Sequence, residues 1–380
     1  MDFKLTKEQD QFKKELITFC KAEIAPGAAA VDAAEAFPAE NWRKLAARGI
    51  FGLMIPKEYG GLGGCLIGGV TAVEAISAAC ASTGMAAGSS MFCCGKAIEV
   101  YASDAVKKEV LPKLASGEAV GAFAVTEPEC GSDILAMTTT ATLKGGLYVL
   151  NGEKAYITNA TAADYFVVTA KTGEESGRAK LSVLLVPKGT AGLSVSGGYK
   201  TLGLRGAPAA SVKFENCEVP SGNLLGAEGD GFKIVLDVLD YTRLSVAAVA
   251  GGISTAAFIA AKEYSENRVT FGKPIATHQD IAFRVADMHV EADVARMLMH
   301  HAAWQKIEGM KCAPLTAVAK VAASEAAVAN TGRAMSVFGG RGFDRGLPVE
   351  RLYRDAKHTE VAGGTNDILR GIIAEDLLKD

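Results

Sequence analysis

At 380 residues the chain exceeds the roughly 250–300 at which one hydrophobic core stops growing, so two or three domains are expected. An apolar fraction of 49% excludes a disordered chain, and a net charge of −3 with Lys and Arg interspersed among Asp and Glu gives no footprint for nucleic acid. The charged N-terminus MDFKLTKEQDQFKKEL has no apolar stretch of signal-peptide length, so the cytoplasm is the expected compartment.

Residues 1 to about 120 read as helical. LTKEQDQFKKELITFCKAEIAP spaces Leu5, Phe12, Leu16, Ile17 and Phe19 at roughly helical intervals and stops at Pro26. A second helix is predicted over Ala39–Ala47, ahead of the glycine-rich EYGGLGG. Leu66 falls where a dinucleotide-binding loop needs its last glycine, so that fingerprint fails. Helical segments resume from Val70 to Leu114. Between about 121 and 230 the pattern becomes β-type, with runs GAFAVT, LYVLNGEKAYIT, YFVVTA, LSVLLVP and SVKFENCEVP set off by turn signals. From Gly231 the helical period returns, clearest in FKIVLDVLDYTRLSVAAVA and DIAFRVADMHVEADVARMLMHHAAWQKIEG. The predicted organisation is therefore a helical domain over 1–120, a small β-domain over 121–230 and a helical domain over 231–380.

The uncharged run Leu244–Ala261 is as long as a membrane span, but Ala, Gly, Ser and Thr dominate it, so a buried, closely packed helix is expected and no membrane partner. Eight cysteines without a CxxC pair argue against a disulfide framework or zinc site. They are expected to be reduced core residues, with adjacent Cys93 and Cys94 open to redox sensitivity. Five histidines without HExxH spacing imply no metal.

At FAVTEPECGSD (123–133) a β-run enters a turn rich in Gly, Pro and Glu, exposing backbone N–H groups and the Thr126 and Ser132 hydroxyls. Alone it would be an ordinary turn, yet it resembles the first signature of the flavin-dependent acyl-CoA dehydrogenase family. NGEKAYITN (151–159), LGLRGAP (202–208), NRVTFGKPIATHQ (267–279), FGGRGF (338–343) and PVERLYRDAK (348–357) resemble further family segments, in family order. The resemblance implies an α+β chain with the acyl-CoA dehydrogenase fold: an N-terminal helical domain, a middle β-domain and a C-terminal four-helix bundle. It implies FAD held between domains and across a dimer contact, within a homotetramer built as a dimer of dimers. Carried over by position, Phe123, Val125, Thr126, Gly131 and Ser132 would meet the flavin from one side, with Tyr156 and Thr158 against the other. Arg268, Phe271 and Gln279 would reach the neighbouring subunit's FAD, Gly339 and Gly340 would let backbone approach its diphosphate, and Thr365 and Asp367 would lie near the cofactor. Ser132, Leu239, Thr242, Arg243, Gly363 and Gly364 would bind or position the acyl-CoA. Ser336, Gly346 and Asp367 depart from the family's usual residues. Electrons would pass to an electron-transferring flavoprotein by family analogy.

Dehydrogenation of an acyl-CoA removes the α-hydrogen as a proton, a task suited to a carboxylate in a dry pocket. Most family members end the last loop with Glu-Gly-Thr, where this chain has Gly363, Gly364 and Thr365, and a minority place the base where it has Thr242. Both base positions are empty, and the catalytic residue is unassigned; Tyr241 and Glu99 are weak candidates. Three readings follow: an FAD-dependent acyl-CoA oxidoreductase with a relocated or absent base; a non-oxidative elimination like that of 3-sulfinopropionyl-CoA desulfinases, which share the Ala-Gly-Gly-Thr loop; or a non-catalytic flavin-binding protein. The second wants a cation for the sulfinate, and STGMAAGSSMFCCGK offers only Lys96, with Met85 where an arginine is expected. The small residues Ala86, Ala87, Gly88, Ser89 and Ser90 predict either a roomy, polar acyl pocket or close helix packing.

Overall fold

The computed structural model describes residues 6–175 and 177–379. Helix α1 (Lys7–Phe19) opens with a reciprocal capping box, in which the Thr6 hydroxyl and the Gln9 side chain satisfy each other's backbone N–H. It runs on through a π turn at Cys20–Ile24 and a 3₁₀ turn at Ala25–Gly27. Leu16 is buried and Phe12 and Phe19 pack against the core, whereas Ile17 is 47% exposed. The apolar stripe of α1 is thus narrower than its spacing suggests, and Leu5 lies outside the described residues.

Helices α2 (Ala28–Ala34) and α3 (Ala39–Ala47) follow, then α4 (Leu66–Ala79). Cys65 is exposed rather than a core residue: its Sγ accepts the Gly68 N–H at the start of α4. The other seven cysteines are free and buried. The next helical rod is made of α5 (Ala81–Gly88), a π segment at Ser89–Gly95 and α6 (Lys96–Tyr101), and α7 (Asp104–Ser116) closes the region. π segments inside helices recur at functional sites because they re-aim side chains. Here Cys93 and Cys94 diverge, Cys93 toward Thr242 and Cys94 toward the Tyr165 carbonyl. Burial pushes the Cys93 thiol up to about 11, and Cys94 higher still, so neither is the thiolate that redox sensitivity requires.

One eight-stranded sheet follows, comprising β1 (Gly121–Ala124), β2 (Thr140–Lys144), β3 (Leu147–Thr158), β4 (Tyr165–Glu175), β5 (Arg178–Pro187), β6 (Leu193–Val195), β7 (Ala209–Pro220) and β8 (Leu224–Leu225). Its path is β6-β7-β3-β2-β4-β5-β8, with β1 parallel to β4 so that Phe123 faces Val167 in register. The short strands β2, β6 and β8 carry too little apolar alternation to be read from sequence.

Helix α8 (Gly231–Asn267) then runs for 37 residues, and 72% of its most apolar 18-residue window is buried against protein. It shares a core with α4 and is followed by a two-stranded ribbon, β9 (Val269–Thr270) and β10 (Lys273–Pro274). Helices α9 (Gln279–Ile307), α10 (Ala313–Phe338), α11 (Pro348–His358) and α12 (Asn366–Leu377) complete the chain. Small residues such as Ala247, Ala250, Ala323 and Ala327 let α8 and α10 approach closely. The fold is the expected α+β arrangement of helical, β and helical regions.

Candidate functional site

The β-domain loop that follows β1 is held from beneath by a buried ion pair. Lys154 on β3 donates to the Val125 carbonyl (2.9 Å) and to the Glu127 carboxylate (2.8 Å). The same carboxylate accepts from the Thr138 hydroxyl and from the backbone N–H groups of Thr138 and Thr139. Burial alone would raise the Glu127 carboxyl, but the Lys154 cation and these donors outweigh it and hold it near about 2. A two-way backbone bridge between Glu127 and Cys130, together with the Ala155 N–H to Thr126 carbonyl bond, fixes the turn through Gly131 and Ser132.

This turn forms one wall of a cavity of about 630 Å³ between the β-domain and the helices. Phe123, Val125, Thr126, Gly131 and Ser132 line it from the β1 side, Tyr156 and Thr158 from β3, and Leu239, Thr242 and Arg243 from α8. Gly363, Gly364 and Thr365 line it from the last loop. Tyr156 combines φ +57° with 64% exposure and stacks on Tyr199, with ring centroids 4.6 Å apart. A strained, exposed aromatic at a cavity mouth is a poor arrangement for the chain alone and a good one for a planar ring bound there.

The remaining expected cofactor residues sit elsewhere. Arg268, Phe271, Gly339 and Gly340 line a separate open groove with Tyr264, His278 and Phe338. Phe271 is 95% exposed at φ +51°, again strained without a partner. Gln279 begins α9 beside this groove without lining it, and Asp367 is 97% exposed at its side chain and lines neither space. Ser336 donates back to the Gly332 carbonyl, and Gly346 donates its N–H to the Asp344 carboxylate, so both departures from the family pattern are absorbed locally.

The last loop is tied down by Lys320 on α10. Its ammonium donates to the Glu360 carbonyl (2.9 Å), the Gly364 carbonyl (3.0 Å) and the Asn366 side-chain oxygen (2.8 Å). Burial pushes its amine down to about 8, against the pull of the Glu360 carboxylate. Gly363 and Gly364 take φ +67° and +95°, where an L side chain is strained. A Cβ built on Gly363 would meet Thr242 Cγ2 at 3.4 Å, which makes the two family base positions neighbours in space. Thr365 spends its hydroxyl on the Ile368 N–H as the cap of α12.

Thr242 donates its hydroxyl proton to the Val238 carbonyl (2.9 Å), so at its 3.3 Å contact with Cys93 the thiol must be the donor. Arg243 is buried and paired with Asp240 at 3.0 Å, while its Nε has no partner. The two weak base candidates both lie outside the cavity lining. Glu99 is paired with Lys96, and the Tyr241 ring lies between the Lys96 and Lys306 cations.

Composition and motif reading passed over His358, which closes α11 and lines the cavity. Burial, reinforced by the Lys320 cation, pushes its imidazole down to about 4, and its Nδ1 is buried without a hydrogen-bond partner. The available signal was its place five residues before Gly363, at the helix end that launches the loop. Among the described residues no group of three or more His, Cys, Asp or Glu side chains is arranged to hold a metal.

Comparison with known proteins agrees with this geometry. Family models match along nearly the whole chain: "Acyl-CoA dehydrogenase, N-terminal domain" over residues 6–118, "middle domain" over 122–217 and "C-terminal domain" over 229–378. The short-chain specific acyl-CoA dehydrogenase of Clostridium acetobutylicum is 37% identical over 379 residues, covering 100% of both chains. The butyryl-CoA dehydrogenase of Megasphaera elsdenii superposes with a TM-score of 0.96 at 35% identity, again over 100% of both chains. A chain from a structure of the electron transferring flavoprotein of Acidaminococcus fermentans, described in terms of flavin-based electron bifurcation, gives a TM-score of 0.97 at 38% identity over 100% of both chains. Unrelated sequences do not sustain such identity over a whole chain, and this chain belongs to the acyl-CoA dehydrogenase family.

Proposed function

We propose that the chain is an FAD-dependent oxidoreductase of acyl-CoA thioesters, working at the α,β-carbons without a carboxylate at either family base position. The observation that carries this reading is the single cavity into which the β1 turn, Tyr156 and Thr158, α8 and the 363–365 loop all converge. Its residues suit FAD: Phe123, Val125, Thr126, Tyr156 and Thr158 offer a flat, largely apolar slot with hydroxyls at its edge. When bound there, FAD supplies the acceptor for the β-hydrogen, taken as hydride. The chain's own part is to exclude water, to hold the thioester between α8 and the last loop, and to accept the α-proton. Apart from Asp133, on the exposed turn, the ionisable groups lining the cavity are Cys93, Tyr156, Arg243 and His358. Loss of a positioned general base costs ~10²–10⁴ in rate, so turnover of simple straight-chain substrates is expected to be slow.

The sulfinate-eliminating alternative finds no support in this site. Arg243 is committed to Asp240, Lys96 is paired with Glu99 away from the cavity lining, and Met85 is apolar. Retention of the whole cavity likewise argues for catalysis over a binding role. The homotetramer is supported by exposed apolar residues Phe283, Val290, Val294 and Met297 along α9, together with Phe271. Electron transfer to a flavoprotein partner is supported by the likeness to the Acidaminococcus structure, and a cytoplasmic setting by the bacterial relatives.

The test is anaerobic mixing of the flavin-loaded protein with a panel of saturated acyl-CoAs, following flavin absorbance and the 2-enoyl-CoA product together. Bleaching with stoichiometric enoyl-CoA is the expected outcome. A flavin that stays oxidised with every saturated thioester, including one whose chemically reduced form is reoxidised by a 2-enoyl-CoA, would remove the forward reaction from the proposal.

A further inference from the structure

On the helical side of the cavity, away from the β1 turn and β3, three neutral polar side chains from three separate elements bond to no described residue: Ser89 at the start of the π segment, Ser245 on α8 and His358 at the end of α11. Ser89 and Ser245 are 9% and 3% exposed, and neither hydroxyl hydrogen-bonds to any described residue. His358 makes none through its ring either, and its Nδ1 is wholly buried. Polar groups enclosed by protein are ordinarily paired; here His358 Nδ1 is buried without a partner and the two serine hydroxyls open onto the cavity. Three in one cavity point to a ligand that completes them.

Contacts between the helices say where along an acyl chain that ligand group would sit. Cys93 touches Thr242, beside the point where a Gly363 side chain would enter. One step further along both helices, a Cβ on Gly88 would come within 2.2 Å of the Ser245 hydroxyl, which places Ser245 against the backbone beside Ser89. The serines therefore lie about one helical turn, ~5.4 Å, beyond the α,β-carbon position. Buried, apolar Met85 lies one turn further still.

The cluster is also uncharged. His358 is neutral at pH 7 because burial and the Lys320 cation oppose its protonation. The Arg243 guanidinium is held by Asp240, and the Cys93 thiol, raised to about 11, is spent on Thr242. The one cation lining the cavity, the Arg243 guanidinium, already has Asp240 as its counter-ion, so a charged substituent would gain no free counter-charge here, whereas a group that both donates and accepts would find the two serines and His358.

We propose that the acyl-CoA taken by this site carries a neutral hydrogen-bonding substituent, a hydroxyl, carbonyl or amide, about one helical turn beyond the reacting carbons, recognised by Ser89, Ser245 and His358. This rests on the acyl-CoA reading above. It explains how a cavity in a family of fatty-acyl enzymes comes to present unpaired polar atoms where an alkyl chain would pass. A purely alkyl chain would leave all three unpaired, and a site built to bond a hydroxyl discriminates strongly against the analogue that lacks it.

The experiment is calorimetric titration of the oxidised, flavin-loaded protein with 2-enoyl-CoA products, which oxidised flavin does not turn over. The probes are ω-hydroxy-2-enoyl-CoAs of five and six carbons, each against the isostere in which a methyl replaces the hydroxyl. At one length or the other the hydroxylated ligand is expected to bind at least about tenfold tighter, the effect of a well-made buried hydrogen bond. That ratio should collapse toward unity in Ser245→Ala and His358→Leu while the methyl isostere keeps its affinity. Equal affinity of both members at both lengths would overturn the proposal. Failure of every thioester to bind would instead remove the acyl-CoA reading and this inference with it. If His358→Leu abolished exchange of α-hydrogens of a saturated acyl-CoA into deuterated water and left the ratio untouched, His358 would be the proton acceptor and its place in recognition would be overturned.

Discussion

Two buried polar clusters in this molecule have opposite hydrogen-bond balances. Under the β1 turn, Glu127 and Lys154 are 2% and 0% exposed at their side chains, and their charged atoms have partners on every side. Between α5, α8 and α11, Ser89, Ser245 and His358 line the cavity without a protein partner, the two serine hydroxyls opening onto the cavity and His358 Nδ1 wholly buried. The first cluster is complete in the free chain and serves to hold a loop in place. The second is complete only with something bound, and folding tolerates it because its members are neutral. Burial alone therefore does not separate structural polar groups from functional ones; the presence of partners does.

The sharpest way to break the contrast is to break the completed cluster. Lys154→Met leaves the Glu127 carboxylate buried beside an apolar chain, and removing one partner of a buried pair typically costs ~3–5 kcal/mol. Denaturant unfolding should show that loss, with Glu127→Gln added to Lys154→Met recovering part of it. The wild-type pair also predicts a pH dependence. Because the folded carboxyl sits near about 2, below its ordinary 4.5, its contribution is fully present above about pH 4.5 and disappears as pH falls toward 2. An unfolding free energy that stays flat across that window would contradict the pairing.

Lys320 offers an intermediate case, a completed cluster directly beneath the incomplete one. Lys320→Met strips donors from the Glu360 and Gly364 carbonyls and from Asn366, at an expected cost of about 3 kcal/mol. The loop carrying Gly363 should loosen with it. Weakened acyl-CoA binding, measured by the flavin's spectral perturbation, should accompany the stability loss; undiminished binding would show that the loop is held by other contacts.

Gly363→Glu tests whether the cavity has kept its family geometry around the empty base position. Built at φ +67°, the new side chain costs roughly 1–2 kcal/mol in backbone strain. Its Cβ nonetheless has ordinary room beside Thr242 and Arg243. Straight-chain acyl-CoA dehydrogenation is expected to rise by ~10²–10⁴, the usual effect of a positioned base. No rise with any chain length would mean that the acyl end has diverged as well.

Much of this was legible in the sequence, and the limits have physical causes. The order of helical, β and helical segments followed from periodicity, and α3 and the long strands lay where the apolar patterns placed them. Phe123, Thr126, Tyr156, Arg243 and Gly363 could be singled out because they sit in contiguous motifs, and all five line one cavity. Ser89 could be named only as one of five small residues whose spacing suited packing equally well. Folding separates them: Ser90 accepts the Gly121 N–H and the Ala86 carbonyl accepts from Asn159, leaving Ser89 facing the cavity. Ser245 and His358 carry no motif at all, because their significance lies in lacking a partner, and that is a property of three-dimensional neighbours rather than of residue order.

The smallest expected effect separates the two clusters most clearly. Ser245→Ala removes a hydroxyl that bonds to no described residue and faces the cavity, so the folded state loses no intramolecular hydrogen bond. The serine oxygen occupies space left open by the missing side chain of Gly88 and borders the existing cavity, so alanine enlarges that cavity by one atom rather than opening a sealed void. Stability should change by less than about 0.5 kcal/mol, or increase slightly, within the range of an unpartnered surface substitution despite 3% exposure. Denaturant midpoints for wild type and variant, measured without ligand, decide it. A loss above about 1 kcal/mol would mean that Ser245 has a bonding partner in the free protein and belongs with Glu127 and Lys154, on the structural side of the comparison.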